Sequence, residues 1–364
     1  MRILVLTSRY TATRDIINED FGRQTRLFEA LKKLNHNIDF FCADYKKFEN
    51  RNVKLHGINV LIRPFSLRYF FTFLNGLNKT LKSKKYDLVI ATSDPLWGAF
   101  GYHFAKKYDV KFLYDLHDNY ETYLTYKIPF FGFVDKRIMK KADVVTTVSN
   151  SLKRKISSIR RNGVFVVENG ADLQLFEPKN RLQCRNKLDL PPNAKIIAYA
   201  GTLQKMQGVH LLIEAYEELK NEFDGLVLVL AGRIRKVKGE LLDLEKKGII
   251  WLKELNQKGV VDLINAADVV VVPNTSNEFT KYCFPYKIIE YMACNAKIVA
   301  TKVGDVAEIA PKESLCEPDS VKGLAEKISA NLKSVKPANY RNIAEKYSWN
   351  RIARKLDKVI RERR

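Results

Sequence analysis

No apolar run in this chain approaches the roughly 20 residues that a helix needs to span a bilayer. The opening stretch, Met1-Arg-Ile-Leu-Val-Leu-Thr7, turns polar too soon for a secretion signal and reads as a buried strand. Cysteine is scarce and odd in number. Cys42, Cys184, Cys283, Cys294 and Cys316 are scattered, and no pair has the close spacing of a zinc site or a redox motif. A reducing, cytosolic setting is therefore the expectation. Histidine is sparse, with five residues, and no Asp-x-Asp follows a strand with further ligands nearby, so no metal site is expected. Acid is also in short supply: 63 Lys and Arg stand against 41 Asp and Glu, for a formal net charge of +22.

The basic surplus is uneven. Asn50 to Tyr86 holds no acid, while Arg51, Lys54, Arg63, Arg68, Lys79, Lys82, Lys84 and Lys85 are all basic. Between Lys136 and Arg161 nine bases face one acid, Asp143. Such a field favours an anionic membrane, a nucleic acid or an acidic ligand; a merely solvated basic surface is the plainer alternative. No zinc-finger, RNP-like or helix-turn-helix signature is present, so nucleic acid is not expected. The run Pro64-Phe-Ser-Leu-Arg-Tyr-Phe-Phe-Thr-Phe-Leu74 is aromatic, flanked by bases and too short to span. Lying in a membrane interface, it would turn Phe70, Phe71, Phe73 and Arg68 towards lipid. An ordinary core helix is the competing reading. The expected location is cytoplasmic, peripheral on the inner face of the membrane.

At 364 residues and 46% hydrophobic, the chain is long enough for two cores. Short β-branched runs alternate with helical patterns. In the first half Ile3–Leu6, Ile38–Cys42, Leu88–Ala91, Lys111–Tyr114, Val144–Val148 and Val164–Val167 read as strands. Helical patterns cover Phe21–Leu34, Leu96–Lys107 and Ser151–Ser157. In the second half the strands are Ile196–Ala200, Leu226–Ala231, Ile249–Leu252, Val269–Val272 and Ile298–Ala300, with helices at Val209–Glu222, Val260–Ala266 and from Pro285. Two such series predict two doubly wound α/β domains with parallel sheets. The polar, proline-bearing stretch from Gly170 to Lys195 marks the divide. Ligands of open parallel sheets sit at the carboxyl ends of strands, which places a site in a cleft between facing domains.

Cys283-Phe-Pro-Tyr-Lys-Ile-Ile-Glu-Tyr-Met-Ala-Cys294 ends a polar loop and starts a helix at Pro285. Lys287 and Glu290, three apart, share a face near a free helix N-terminus. A polyanion and a pair of hydroxyls suit such a site; an exposed ion pair on a surface helix is the alternative. Ala198-Tyr-Ala-Gly-Thr-Leu-Gln-Lys-Met-Gln-Gly208 is a strand and a glycine loop before a helix, where Gly201 lets backbone approach a phosphate. His117, in Tyr114-Asp-Leu-His-Asp118, stands just past a strand's carboxyl end, and a capping or core histidine would look the same.

The run Phe284-Pro-Tyr-Lys-Ile-Ile-Glu-Tyr-Met-Ala, then Ile298-Val-Ala-Thr-Lys-Val-Gly-Asp, resembles the nucleotide-sugar motif of glycosyltransferase family 4, in the subgroup reading Pro-x-Lys-x-x-Glu-Tyr-Met. The resemblance covers nearly the whole chain. It implies a GT-B fold: two Rossmann-like domains facing across a cleft, with residues 1–170 binding acceptor, 171–340 binding donor and 341–364 crossing back. It further implies a retaining transferase whose co-substrate is a nucleoside-diphosphate sugar, with no cofactor and no metal required. Together with the basic, aromatic stretch from Asn50 to Tyr86, the expected acceptor is a glycan, lipid-linked or membrane-proximal. Glu290 would hold the ribose hydroxyls, and His117 would orient the sugar or relay a proton. Gly22 is similar to the family's glycine loop over the diphosphate, and Gly201 to its donor-domain loop. The family's usual arginine and lysine are replaced by Thr202 and Gln207, and the first glutamate of the motif by Tyr282. Lys205, Lys287, Arg233 or backbone amides would grip the phosphates instead. The alternatives are a GT-B nucleotide-sugar epimerase and a non-catalytic nucleotide-sugar or membrane-binding module.

Overall fold

The central strands are mostly apolar and buried on both sides, so both faces of each sheet need covering. A computed structural model, which describes residues 1–11, 14–20, 22–234, 244 and 247–362, shows how the chain meets that need. It forms two units, Met1–Asn169 with Trp349–Arg364, and Gly170–Ser348.

In the first unit the strands are β1 Arg2–Ser8, β2 Tyr10–Thr11, β3 Arg14–Asp15, β4 Asn37–Asp44, β5 Arg51–Leu55, β6 Ile58–Pro64, β7 Leu88–Ala91, β8 Lys111–Leu116, β9 Val144–Thr147 and β10 Val164–Val166. The helices are α1 Arg23–Lys32, α2 Phe70–Ser83, α3 Pro95–Lys107, α4 Phe131–Lys141 and α5 Asn150–Ser157. The main sheet runs β10-β9-β8-β7-β1-β4-β6-β5. All its pairs are parallel except β5 on β6. Strand order reverses beside β1, which lies between β7 and β4. Sites of doubly wound sheets form at that switch, beyond the strands' carboxyl ends.

The second unit holds α6 Arg181–Lys187, β11 Lys195–Ala200, α7 Val209–Leu219, β12 Leu226–Ala231, β13 Ile250–Trp251, α8 Gln257–Ala266, β14 Val269–Val272, α9 Tyr286–Ala293, β15 Ile298–Thr301, α10 Val306–Ile309, β16 Leu315–Cys316, α11 Val321–Lys333 and α12 Arg341–Ala344. Its parallel sheet runs β13-β12-β11-β14-β15-β16, with the switch between β11 and β14. α7 and α11 cover one face through Leu212, Tyr216, Leu219, Leu324 and Ile328, all buried with Ile197 and Leu228.

The last helix, α13 Trp349–Glu362, returns to the first unit. It buries Ile352, Ala353, Leu356, Val359 and Ile360, an i, i+1, i+4, i+7, i+8 stripe, and packs on α1. His36 Nε2 meets Asp357 Oδ1 at 2.7 Å. The return begins at Trp349 and not at 341. Arg341 ties α12 to the second unit by donating to the carbonyls of Phe176 (2.9 Å), Ala293 (2.6 Å) and Leu173 (2.8 Å). Arg363 and Arg364, expected in this helix, lie outside the described residues, as does Phe21, the expected start of α1. α7 ends at Leu219, short of the expected Glu222, and Pro285 caps α9 in an extended conformation (ψ 120°), not inside its first turn.

One expectation is corrected here. Phe73 does not face outward. Helix α2 buries Phe73, Leu77 and Leu81, four apart, and Phe73 packs on Phe41 and Phe65 (ring centroids 5.0 Å each) and Trp97 (5.6 Å). Helical geometry cannot turn Phe71 and Phe73 the same way, and Phe71 is the exposed one, at 77%. Phe70 is half-buried against Phe100, and Arg68 is exposed. Urea unfolding should therefore show Phe73→Ala to cost about 3–5 kcal/mol, and Phe71→Ala to stay within about 0.5 kcal/mol of wild type.

Candidate functional site

In the first unit, polar side chains gather where β7, β8 and β9 end. Their centre is Asp115, on β8 and buried. Arg23, the first residue of α1, grips it with two bonds, Nη2 to Oδ1 at 2.8 Å and Nε to Oδ2 at 3.0 Å. Thr146 donates to Oδ1 (2.7 Å) and Thr92 to Oδ2 (3.0 Å). Burial alone would raise the pKa of Asp115, but the Arg23 charge and these hydrogen bonds outweigh it and hold the carboxyl below its usual range. Arg23 Nη1 also donates to the carbonyl of Glu168, at 2.8 Å. Gly22, one residue earlier, is the N-cap of α1, its carbonyl accepting from Arg26 N and Thr25 Oγ1.

His117 stands on this platform, two residues beyond Asp115, and is buried. Its Nδ1 lies 3.1 Å from Tyr120 Oη and 3.4 Å from Thr92 Oγ1. Tyr120 Oη in turn donates to the Asp115 carbonyl at 3.0 Å. Nε2 has no hydrogen-bond partner; Asp118 Oδ2 is 3.4 Å away. Burial lowers the His117 pKa against the pull of Asp118 and Asp115, so the ring is neutral at physiological pH. Burial also raises the Asp118 carboxyl, which accepts from Tyr123 Oη at 2.9 Å. One imidazole nitrogen thus lies against two hydroxyls, and the other is buried without a hydrogen-bond partner.

In the second unit, two loops leave β11 and β12 side by side. Gly201 N donates to Ala231 O (2.9 Å) and Leu203 N to Arg233 O (2.8 Å). A Cβ on Gly232, at φ 138°, would fall 1.8 Å from Gly201 O, so no other residue fits there. Helix α7 starts at Gly208, where a Cβ would lie 1.7 Å from Pro273 O at the end of β14. Glycine thus draws the α7 N-terminus against the switch point. The loop after β14 is pinned to the same turn: Asn277 Nδ2 and Thr275 Oγ1 donate to Met206 O at 3.2 and 3.0 Å.

Lys287, on the first turn of α9, reaches into this corner. Its Nζ donates to Tyr199 Oη (3.0 Å) and Gln207 Oε1 (3.4 Å), and stands 4.2 Å from the Tyr199 ring centre. A Cβ on Gly201 would come within 2.7 Å of that ammonium. Burial brings its pKa down to about 8, although Cys283 and Glu290 favour the charged form. Glu290 is partly buried one turn along α9. Tyr199 Oη donates to Thr202 O at 3.1 Å.

The structure therefore brings Gly201, Thr202, Gln207 and Lys287 together around Tyr199. Gln207, which replaces the lysine expected by resemblance, touches Lys287 itself. Lys205 is exposed on the 3₁₀ turn Lys205–Gln207, and Arg233 is half-exposed and paired with Glu254. Sequence reading missed the roles of Arg23, Asp115, Thr92 and Thr146. Only Asp115, spaced two from His117 on a strand end, offered a local signal. Among the described residues, no three His, Cys, Asp or Glu are placed to hold a metal ion.

A family profile described as glycosyl transferases group 1 matches residues 180–363, and one described as glycosyltransferase family 4 matches residues 25–175. An uncharacterized glycosyltransferase of Methanocaldococcus jannaschii is 25% identical over 92% of this chain and 92% of its own length. A lipopolysaccharide 1,2-N-acetylglucosaminetransferase of Salmonella typhimurium is 24% identical over 54% of this chain, which spans 56% of that enzyme. Among solved structures, the Anabaena protein HepE in complex with UDP superposes with a TM-score of 0.79 at 18% identity, with 100% of both chains covered.

The Arg23–Asp115 pair gives a direct stability test. Arg23→Met leaves a buried carboxylate without its counter-charge, and should lower unfolding free energy by about 3–5 kcal/mol in urea titration.

Proposed function

The chain belongs to the glycosyl transferases group 1 family and has the GT-B fold, and from that premise we propose that it is a retaining transferase that takes a sugar from a nucleoside diphosphate. The observation that carries the reading is Lys287. Its ammonium is enclosed at the end of a sheet switch, and its hydrogen-bond partners, Tyr199 Oη and Gln207 Oε1, are both neutral. A cation held among neutral groups beside two helix N-termini suits a diphosphate. UDP in the similar HepE structure is consistent with that choice of ligand.

In the proposed reaction, Glu290 accepts from the two ribose hydroxyls of the donor. Lys287, the Thr202 backbone and the α7 N-terminus hold the diphosphate and stabilise its charge as it leaves, with no metal invoked. Lys205 and Arg233 stand near the same turn; Arg233 would have to leave Glu254 to take part. The bond from the sugar's anomeric carbon to the phosphate oxygen breaks, and the bond to the acceptor oxygen forms on the same face. The acceptor's proton passes to the departing phosphate oxygen. His117 Nε2 serves the acceptor side by accepting a hydrogen bond from a sugar or acceptor hydroxyl. The acceptor is proposed to be a lipid-linked or membrane-proximal glycan, used by a peripheral protein on the cytoplasmic face. The basic bias of the first unit supports this, as does the lipopolysaccharide named for the Salmonella relative.

The donor is identified by a thermal-shift screen against UDP, GDP and their sugars, in which a specific binder raises the melting temperature. Calorimetry should then show binding abolished by Glu290→Ala; unchanged affinity would remove its ribose role. His117→Ala should slow turnover about a hundredfold or more while nucleotide affinity holds. Lys287 carries its charge below a pH of about 8 and loses it above. Diphosphate affinity should therefore fall as pH rises through that value, nucleoside affinity should not, and Lys287→Met should flatten the diphosphate curve.

A further inference from the structure

Between β8 and α4 the chain turns its apolar side chains outward. Leu124 is 76% exposed, Ile128 51%, Phe130 87% and Phe133 69%. This segment is not slack. Ile128 N donates to Thr125 O (3.2 Å), Phe131 N to Ile128 O (3.1 Å) and Phe133 N to Phe130 O (3.1 Å). Beneath it, Thr125 Oγ1 donates to both oxygens of Asp94 at 3.1 Å, and the hydroxyls of Tyr114 and Tyr126 both donate to buried Asp135. Phe130 itself sits at φ 62°, a strained setting for a bulky residue, and caps α4 with its ring in the open. The fold holds these side chains out on a braced support.

The charge around them is mostly basic, with Glu121 at the margin, paired to Lys155 and Lys136. From Thr122 to Ala142 the only acid is Asp135, which is buried, whereas Lys127, Lys136, Arg137, Lys140 and Lys141 are exposed. Helix α4 buries Asp135, Ile138 and Met139 and turns its bases the other way. Each of α2, α3 and α4 follows a parallel strand, so their N-terminal ends lie at the same edge of the sheet. Leu67 (97% exposed), Arg68 and Phe71 (77%) stand at the α2 end of that edge, with α3 packed between through Phe100 against Phe70.

We propose that residues Leu124–Phe133 form a bilayer-docking element, in which Ile128, Phe130 and Phe133 enter the headgroup–acyl boundary while the bases of α4 lie among anionic lipid phosphates. The proposal moves the membrane contact away from the 65–73 run, whose Phe73 is core. It rests for its purpose on the reading of a membrane-proximal acceptor, but its test does not. A second copy of the chain fits this face poorly, because a two-fold contact sets five bases against five bases. Apolar tips rimmed by cations match an anionic bilayer in both chemistry and charge.

The test is co-sedimentation with phosphatidylcholine vesicles, with and without phosphatidylglycerol. The full chain should bind the anionic vesicles, and high salt should release part of it. Ile128→Ser/Phe130→Ser/Phe133→Ser should weaken binding about tenfold or more, with the melting temperature and nucleotide binding kept, because these side chains touch little. Phe130→Trp should gain fluorescence quenching by brominated lipid relative to wild type. Absence of vesicle binding at low salt, a triple variant that binds like wild type, or an unquenched Trp at 130 would each overturn the proposal. So would a wild-type dimer that the triple variant breaks, since that assigns the face to a second copy. Vesicle binding with transfer only to soluble acceptors would leave the docking element standing and remove the lipid-linked acceptor alone.

Discussion

Arg23 and Asp115 lie 92 residues apart and meet in a place from which water is excluded. A carboxylate there persists only if its charge is balanced and its lone pairs are filled. The fold fills them with the two Arg23 nitrogens, Thr92 and Thr146, one from each neighbouring strand end. The start of α1, the ends of β7 and β8, and β9 are thereby locked in one arrangement. Arg23 extends the lock to Glu168, next to the point where the chain leaves the unit. His117 inherits its place from this network, so the orientation of the candidate acceptor group is a by-product of a stability requirement.

The second unit positions its groups by a different means. There the determinant is the closeness of backbones, which glycine alone permits. Gly232 lies against Gly201 O and Gly208 against Pro273 O, and the space a side chain on Gly201 would have filled is taken by the Lys287 ammonium. The ammonium of Lys287 is hydrogen-bonded there to neutral partners, and its enclosure lowers its pKa against the pull of Cys283 and Glu290. Where the resemblance placed an arginine and a lysine, this chain has one lysine on another helix, reaching the same corner through Gln207.

The strand–helix alternation was legible in the sequence because parallel strands buried on both faces are written as unbroken β-branched runs. Val269–Val272 and Ile298–Thr301 are examples. Lys287 and Glu290 were legible because a helix converts a spacing of three into a shared face. The Arg23–Asp115 pair was not, since nothing local in either segment encodes a partner so distant. The aromatic run at 65–73 misled for a different reason. Composition suggested an outward face, although the spacing of Phe73, Leu77 and Leu81 already described a buried one. Exposure at Phe130 and Phe133 depends on how α4 is seated by Asp135, which only the tertiary contacts reveal.

The last helix adds a constraint of timing. The first unit needs α13 to cover α1, yet α13 is encoded after the whole of Gly170–Ser348. During synthesis the second unit has all of its residues in hand while the first is still missing a helix, with the apolar side of α1 uncovered. The N-terminal unit is thus completed only by residues encoded after the other unit, and until they arrive the apolar side of α1 lacks its cover.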